Sequence, residues 1–380
     1  MPKVKLNDVA VECKETIKGE ASLPVVGLEH LIPGEVCLTQ WSDDSDNTFT
    51  KRFRKGQVLF SRRRAYLKKA AVAPFDGICS GDITVIAARP EVLEPELLPF
   101  IIQNDALFDY AVGHSAGSLS PRVKWEHLKN YEFELPDKSK QSRLARLLWA
   151  VEDARKAYQT LIQRSEELVK SQFIEMFRRE NSGKQDWPTL KIGEVYNVKS
   201  SKRIYAKELV PAGIPFLKVA DILDRIATGT STPTAYISQE KYRELKEMGL
   251  VPETGDILVT SRGTIGKCYI ITSKDEFYFQ DGMISWLHPK PGCQLLPEFI
   301  AALFEEEEFL KALDEATNKT TVTYISLDKL GGLSVICPPE RMQHGYLDFV
   351  HQLDKSKHSA QKALEDLQAT QKALIRKYLG

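Results

Sequence analysis

The chain lacks any Cys-x-x-Cys pair among its six cysteines, and any excess of charge, since 52 Lys and Arg stand against 52 Asp and Glu. It also lacks an apolar run near the ~20 residues of a membrane span. Each absence removes a class of protein. Scattered cysteines at 13, 37, 79, 268, 293 and 337 suit neither a zinc site nor the disulfide framework of a small secreted domain. Free thiols fit a reducing compartment. The opening stretch MPKVKLNDVAVECKE has no apolar core of a signal peptide. A cytoplasmic protein with no membrane contact and no metal centre is expected. With zero net charge, any surface for a polyanion must be local.

Signatures of catalysis are missing as well. There is no G-x-x-x-x-G-K-[ST], no G-x-G-x-x-G opening a helix and no H-E-x-x-H. G-x-S-x-G and [DN]-P-P-[YF] are absent, and the seven histidines lie apart. No catalytic residue and no cofactor site is expected in this chain, which reads as a binder.

What is present is a repeat. Gly56, Arg63 and Lys68 recur at one constant spacing as Gly255, Arg262 and Lys267. Leu97-Leu98-Pro99 recurs as Leu295-Leu296-Pro297, and Pro136 and Gln141 recur as Pro338 and Gln343, in the same order and at nearly the same separation. Such order at a period of half the chain marks a tandem duplication. The first part of each copy (1–136 and 181–338) is rich in turn signals and short β-type runs such as VLF, ITVIA and DILVT. Short helical patterns interrupt these runs, so two strand-rich α+β domains are expected.

The second part of each copy is helical. Residues 138–180 contain no Gly and no Pro. Apolar or small residues step along a heptad seam through Leu144, Leu147, Val151, Ala154, Tyr158, Leu161, Ser165 and Leu168. The C-terminal stretch repeats the pattern through Tyr346, Phe349, Leu353, Ser356, Ala360, Leu364, Leu367, Gln371, Leu374 and Tyr378. A single apolar stripe must be buried, and each stripe is the natural cover for the other. The expected chain has a strand-rich domain at 1–136, a long helix at 137–180, a second domain at 181–338 and a long helix at 339–380. The two helices are expected to pair as an antiparallel coiled coil.

Charge is concentrated in one place. Nine Lys and Arg lie between Lys51 and Lys69 with no Asp or Glu among them. Phosphate contacts need such cations, and arginine reads guanine in the major groove. The candidate nucleic-acid contacts of the first copy are Arg62, Arg63, Arg64, Lys68 and Lys69. Those of the second are Arg262, Thr264 and Lys267, with Lys202 and Arg203 from a nearby loop. Gly263 and Ile265 replace Arg64 and Tyr66. A polar loop precedes the last strand of each copy, HSAGSLSPR and ATNKTTVTY. These loops add His114, Ser118, Ser120 and Arg122, and Lys319, Thr320, Thr321 and Thr323, whose hydroxyls and cations suit phosphate and base-edge contacts.

The G-[DQ]-[IV]-L-x-[ST]-x-R phrase, the Ser-Arg-Gly-Thr-Ile-Gly of the second copy, the Leu-Leu-Pro helix starts and the Pro-x4-Gln lead-in to each long helix together resemble the specificity (S) subunit of type I restriction–modification systems. The first copy departs from the phrase, with Ser-Arg-Arg-Arg-Ala-Tyr-Leu where the family has a glycine-containing turn. The resemblance implies two target-recognition domains, each reading one half of a bipartite site in double-stranded DNA. It implies paired helices that set the spacing and dock two methyltransferase subunits, with restriction subunits joining that complex. S-adenosylmethionine and ATP would be bound by those partners. The helix positions implied are Leu147, Val151, Tyr158, Leu161 and Leu168, and Phe349, Leu353, Leu364, Leu367 and Leu374. Two readings from other classes stand beside this one: a DNA methyltransferase or nuclease with unusual motifs, and a coiled-coil scaffold. Methyl transfer by the isolated chain would favour the first, and absence of DNA binding across a salt series the second.

Overall fold

The structure, a computed structural model, describes residues 2–17, 23–43, 48–177, 187–319 and 322–380. The chain forms two compact units, Met1–Gln163 with Lys357–Gly380, and Arg164–Ser356.

The first unit is organised by an antiparallel sheet in the order Ala10–Cys13, Ile83–Ala88, Val58–Ser61, Ala70–Val72. All four residues of Val58–Ser61 are buried. Successive side chains of a strand point to opposite faces. Val58 and Phe60 therefore enter a core with Phe100, Ile101 and Phe108, while Leu59 enters a second core with Ile83 and Val85. A strand covered on both faces reads as a continuous apolar run, which is why VLF shows no alternation. Gly56 starts the strand at φ 83°, in the left-handed region that glycine enters without strain. A ribbon of Lys3–Lys5 and Glu132–Glu134 closes the unit.

The second unit repeats this plan. Its sheet runs Tyr196–Lys199, Ile284–Pro289, Ile257–Arg262, Thr264–Ile270. Ile257 and Val259 face one core with Phe299 and Ile300, and Leu258 faces another with Phe279 and Trp286. Gly255 starts the strand at φ 92°. Thr189–Lys191 and Ser334–Ile336 form the closing ribbon. The helices Val219–Thr228 and Gln239–Glu247 lie between the second unit's Ile214–Leu217 strand and its Gly255 turn.

Two forty-residue helices, Lys138–Phe177 and Glu340–Leu379, belong in part to each unit. Within the first unit they pair antiparallel. Leu144 and Leu148 share a core with Ile375 and Leu379, and Arg155 reaches back to Gln371. Within the second unit Phe173 and Phe177 pack edge-on against Tyr346.

The buried line on the central helix differs from the expected seam at three positions. Val151 is buried and Tyr158 half-buried, but Leu147, Leu161 and Leu168 are exposed at 46, 44 and 47%. Their places are taken by Leu148, Ile162 and Val169, all buried or half-buried, and Arg155 is buried next to the half-buried Ala154. Neighbouring residues on a helix are about 100° apart, so a shift of one residue turns a side chain from the seam to its flank. The sequence misdirects here because a charged residue, Arg155, lies in the seam while three leucines lie beside it. On the C-terminal helix Leu364 is buried and Phe349, Leu353, Leu367 and Leu374 are half-buried, but Ser356 is exposed.

A layer of Glu152, Arg155 and Gln371, at 3, 6 and 8% exposure, crosses the pair. Arg155 Nη1 donates to Glu152 Oε2 at 2.6 Å and to Gln371 Oε1 at 3.3 Å. Arg155 Nε is buried without a hydrogen-bond partner.

The Pro-x4-Gln phrase has a physical cause. The Gln141 amide donates to the Pro136 and Val92 carbonyls, and its oxygen accepts from Glu94 N at 2.8 Å. Gln343 repeats all three bonds with Pro338, Gln294 and Leu296 N. Each buried glutamine satisfies backbone groups at a helix start and a preceding loop that would otherwise lie unpaired, at a cost of ~1–3 kcal/mol apiece.

Candidate nucleic-acid interface

Most of the basic run is held by contacts within the fold. Arg52 and Arg54 lie against Glu15 and Asp76. Lys51 donates to the Ile83 carbonyl, and burial lowers its pKa. Lys68 pairs with Asp105 at 2.6 Å, and Lys69 donates to the Leu28 carbonyl. These last two are therefore engaged in internal contacts, apart from the arginines.

The arginines gather around one carboxylate. Arg122 grips Asp82 with two bonds of 2.7 and 2.9 Å, and Arg62 and Arg63 approach it to 3.6 and 3.8 Å. The hydrogen bond from Arg122 holds the Asp82 carboxyl below its ordinary pKa. Arg63 also donates to Ser120 Oγ at 3.0 Å. The backbone locks the two segments together: Arg64 N donates to the Pro121 carbonyl, and Val123 N to the Arg62 carbonyl. Ser118 is exposed, and His114 stacks on Tyr110 with ring centroids 4.0 Å apart. Arg64 is exposed and takes the left-handed conformation, φ 53°.

The second unit builds the same frame with other side chains. Gly263 N donates to the Thr323 carbonyl and Ile325 N to the Ser261 carbonyl. Arg262 pairs with Tyr324 as Arg63 does with Arg122. Gly263 lies at φ 75°, in the place of Arg64. Ser261 N donates to the Met283 carbonyl as Arg62 N does to that of Asp82, so Met283 and Tyr324 replace Asp82 and Arg122. Arg262 and Thr264 face each other, both exposed, at the hairpin tip. The Arg262 guanidinium lies 6.0 Å from the Tyr324 ring centre. Arg203 pairs with Asp281, and Lys202 is exposed. Lys267 pairs with Glu305 at 2.7 Å and Lys319 with Asp314 at 2.9 Å. Thr320 and Thr321 lie outside the described residues. A cavity of about 350 Å³ lined by Ser261, Asp281, Ser285 and Tyr324 opens beside the frame.

The sequence reading missed Asp82, because its contacts span forty residues of chain. It also passed over Leu119 and Tyr324, which lie within the two polar loops. Among the described residues no group of three or more His, Cys, Asp or Glu could hold a metal, and no helix is long and apolar enough to cross a membrane.

Residues 184–368 match the family model for the type I restriction modification DNA specificity domain. The putative type I restriction enzyme specificity subunit S.HindORF215P of Haemophilus influenzae is 27% identical over 176 residues. That match spans 46% of this chain and 42% of the relative's length. Over the whole chain the fold is similar to the type I restriction–modification system S subunit from M. genitalium, with a TM-score of 0.61, 14% identity and coverage of 100% and 96%. It is also similar to a chain from a structural study of complex assembly and conformational transition of the type I R-M system, with a TM-score of 0.58, 18% identity and coverage of 99% and 97%. The second half of the chain thus matches the type I restriction modification DNA specificity domain, and the fold over the whole chain is that of the solved S subunit.

Proposed function

We propose that this chain is the DNA-reading subunit of a type I restriction–modification complex and performs no chemistry itself. Each copy of the hairpin-and-loop frame reads one half of a bipartite duplex site. The observation that carries this reading is the frame itself. One backbone arrangement occurs twice, with Asp82, Arg122 and Arg64 on one copy and Met283, Tyr324 and Gly263 on the other. A shared scaffold with different side chains at its tip is what two readers of different half-sites require.

Two methyltransferase subunits dock on the long helices, where Leu147, Leu161 and Leu168 offer exposed aliphatic surface. Restriction subunits join that complex, S-adenosylmethionine and ATP are bound by the partners, and the assembly works in the cytoplasm. The test is to map methylated adenines in the host genome with and without this gene, then with 1–136 replaced by the equivalent domain of another family member. Loss of one bipartite motif on deletion, and a change in one half only on exchange, is expected. An unchanged methylation pattern on deletion would overturn the reading.

A further inference from the structure

Leu119 has 91% of its surface in water, the highest value among the large apolar side chains of the described residues. Single exposed leucines are common, so exposure alone carries nothing. The way this one is held carries more. Its loop is closed by a two-bond bridge between Ala116 and Arg122, at 3.0 and 2.9 Å. Gly117 makes the turn at φ 111°. Ser115 Oγ is bonded to the Ala111 carbonyl at 2.8 Å, and Ser120 Oγ accepts from Arg63. The base of the loop is thus fixed to the arginine cluster, through Ser120, Pro121 and Arg122, and its tip offers an aliphatic group.

The arginines that hold the loop select a polyanion. An aliphatic tip on that loop selects an apolar spot on that polyanion, and in the major groove the one aliphatic group on a base edge is the thymine C5-methyl. We propose that Leu119 is a specificity-determining residue that contacts a thymine methyl in the half-site of the first reader. The inference rests on the reading of the chain as a DNA-specificity subunit. In sequence, the residue three past Asn318, as Leu119 is three past Ala116, is Thr321, so the second copy carries no leucine at that count.

The test uses the full chain with its methyltransferase partners and duplexes carrying the mapped site. Each thymine of the first half-site is replaced in turn by uracil, which removes only the methyl group. At one position the wild type is expected to lose about fourfold in affinity, the factor that burial of one methyl-sized group is worth. Leu119→Ala is expected to bind thymine and uracil duplexes equally there, and Leu119→Ile to restore discrimination. Because Leu119 is 91% exposed, the variants should melt as the wild type does. No uracil-sensitive thymine, or the same sensitivity in Leu119→Ala, would overturn the proposal, and so would a melting temperature lowered by the alanine. Absence of any sequence-specific binding by the wild type would instead overturn the reading on which it rests.

Discussion

Arg64 and Gly263 occupy the same left-handed position in the two repeats, at φ 53° and 75°, each donating its amide to the loop that packs beside it. The conformation suits glycine, but it strains an arginine by ~1–2 kcal/mol. Strain of this kind is tolerated where the side chain is used. Arg64→Gly relieves the strain but adds freedom to the unfolded chain. Stability is expected to stay level or rise by up to ~1 kcal/mol. DNA binding is expected to weaken, and its log–log salt slope to fall by about 0.9. Titration across a salt series decides it, and an unchanged slope means the guanidinium touches no phosphate.

Asp82 should act as an organiser of the arginines. Asp82→Asn removes the charge and keeps the shape. Binding to random DNA is expected to tighten and to depend more steeply on salt. Discrimination at the first half-site should fall, with the second unaffected. The acid response follows from the lowered pKa. A carboxylate depressed in the folded state stabilises above its ordinary value of about 3.9. That stability is lost as the pH falls through the lower folded value. Acid unfolding of Asp82→Asn should therefore lack part of the wild-type loss in that window.

The exposed and buried leucines of the central helix make opposite predictions. Leu148 is fully buried, and Leu148→Ala should cost ~2–5 kcal/mol. Leu161→Lys, on the exposed face, should leave the melting temperature within the small range of surface substitutions. If it still lowers capture of the methyltransferase subunit in a pull-down, it marks the docking surface. Normal capture would place that surface elsewhere.

The Glu152, Arg155 and Gln371 layer should respond to the number of changes made. Glu152→Ala alone leaves the Arg155 charge buried and unpaired, and is expected to cost ~3–5 kcal/mol. Replacing all three with leucine should be neutral or stabilising. Chemical denaturation of the two variants is the measurement, and equal destabilisation would mean the layer is held by packing alone.

The helices are also expected to set the gap between half-sites. Leu379 is buried in the first unit, and its carbonyl accepts from Asn104, while Tyr346 is buried in the second. An insertion in one helix alone would pull one of these anchors out. A heptad added to both, near Gln163 and Lys357, keeps the seam and adds roughly 10 Å. At ~3.4 Å per base pair the methylated motif should gain up to about three base pairs in its gap. An active variant with an unaltered gap would sink the idea.

The α+β class, the duplication and the paired helices were legible in the sequence because they rest on local signals. Glycines recur at turns, apolar runs recur in strands, and a glycine-free stretch repeats its apolar period. Seam register was not legible, since it depends on which of two adjacent residues the partner helix covers, and Arg155 hides the true line. Nor was the pairing of the basic run. Lys51, Arg52 and Arg54 look free in sequence because Glu12, Glu15 and Asp76, which meet them, come from other segments. The frame that joins Arg64 to Pro121 is likewise set by tertiary pairing.

The twin glutamines have a practical consequence for cutting and rejoining the chain. Gln141 fastens the first helical turn to a carbonyl and an amide of the loop that precedes the helix by more than forty residues, so the Pro136 junction is a fitted joint and not a slack linker. Gln343 makes the same joint with the same three kinds of group. Cut at the proline, any donor domain that carries this loop finds its mating part already waiting on the recipient helix. Cut a few residues later, it brings its own. Either way the seam between the pieces closes on backbone atoms, which every donor supplies.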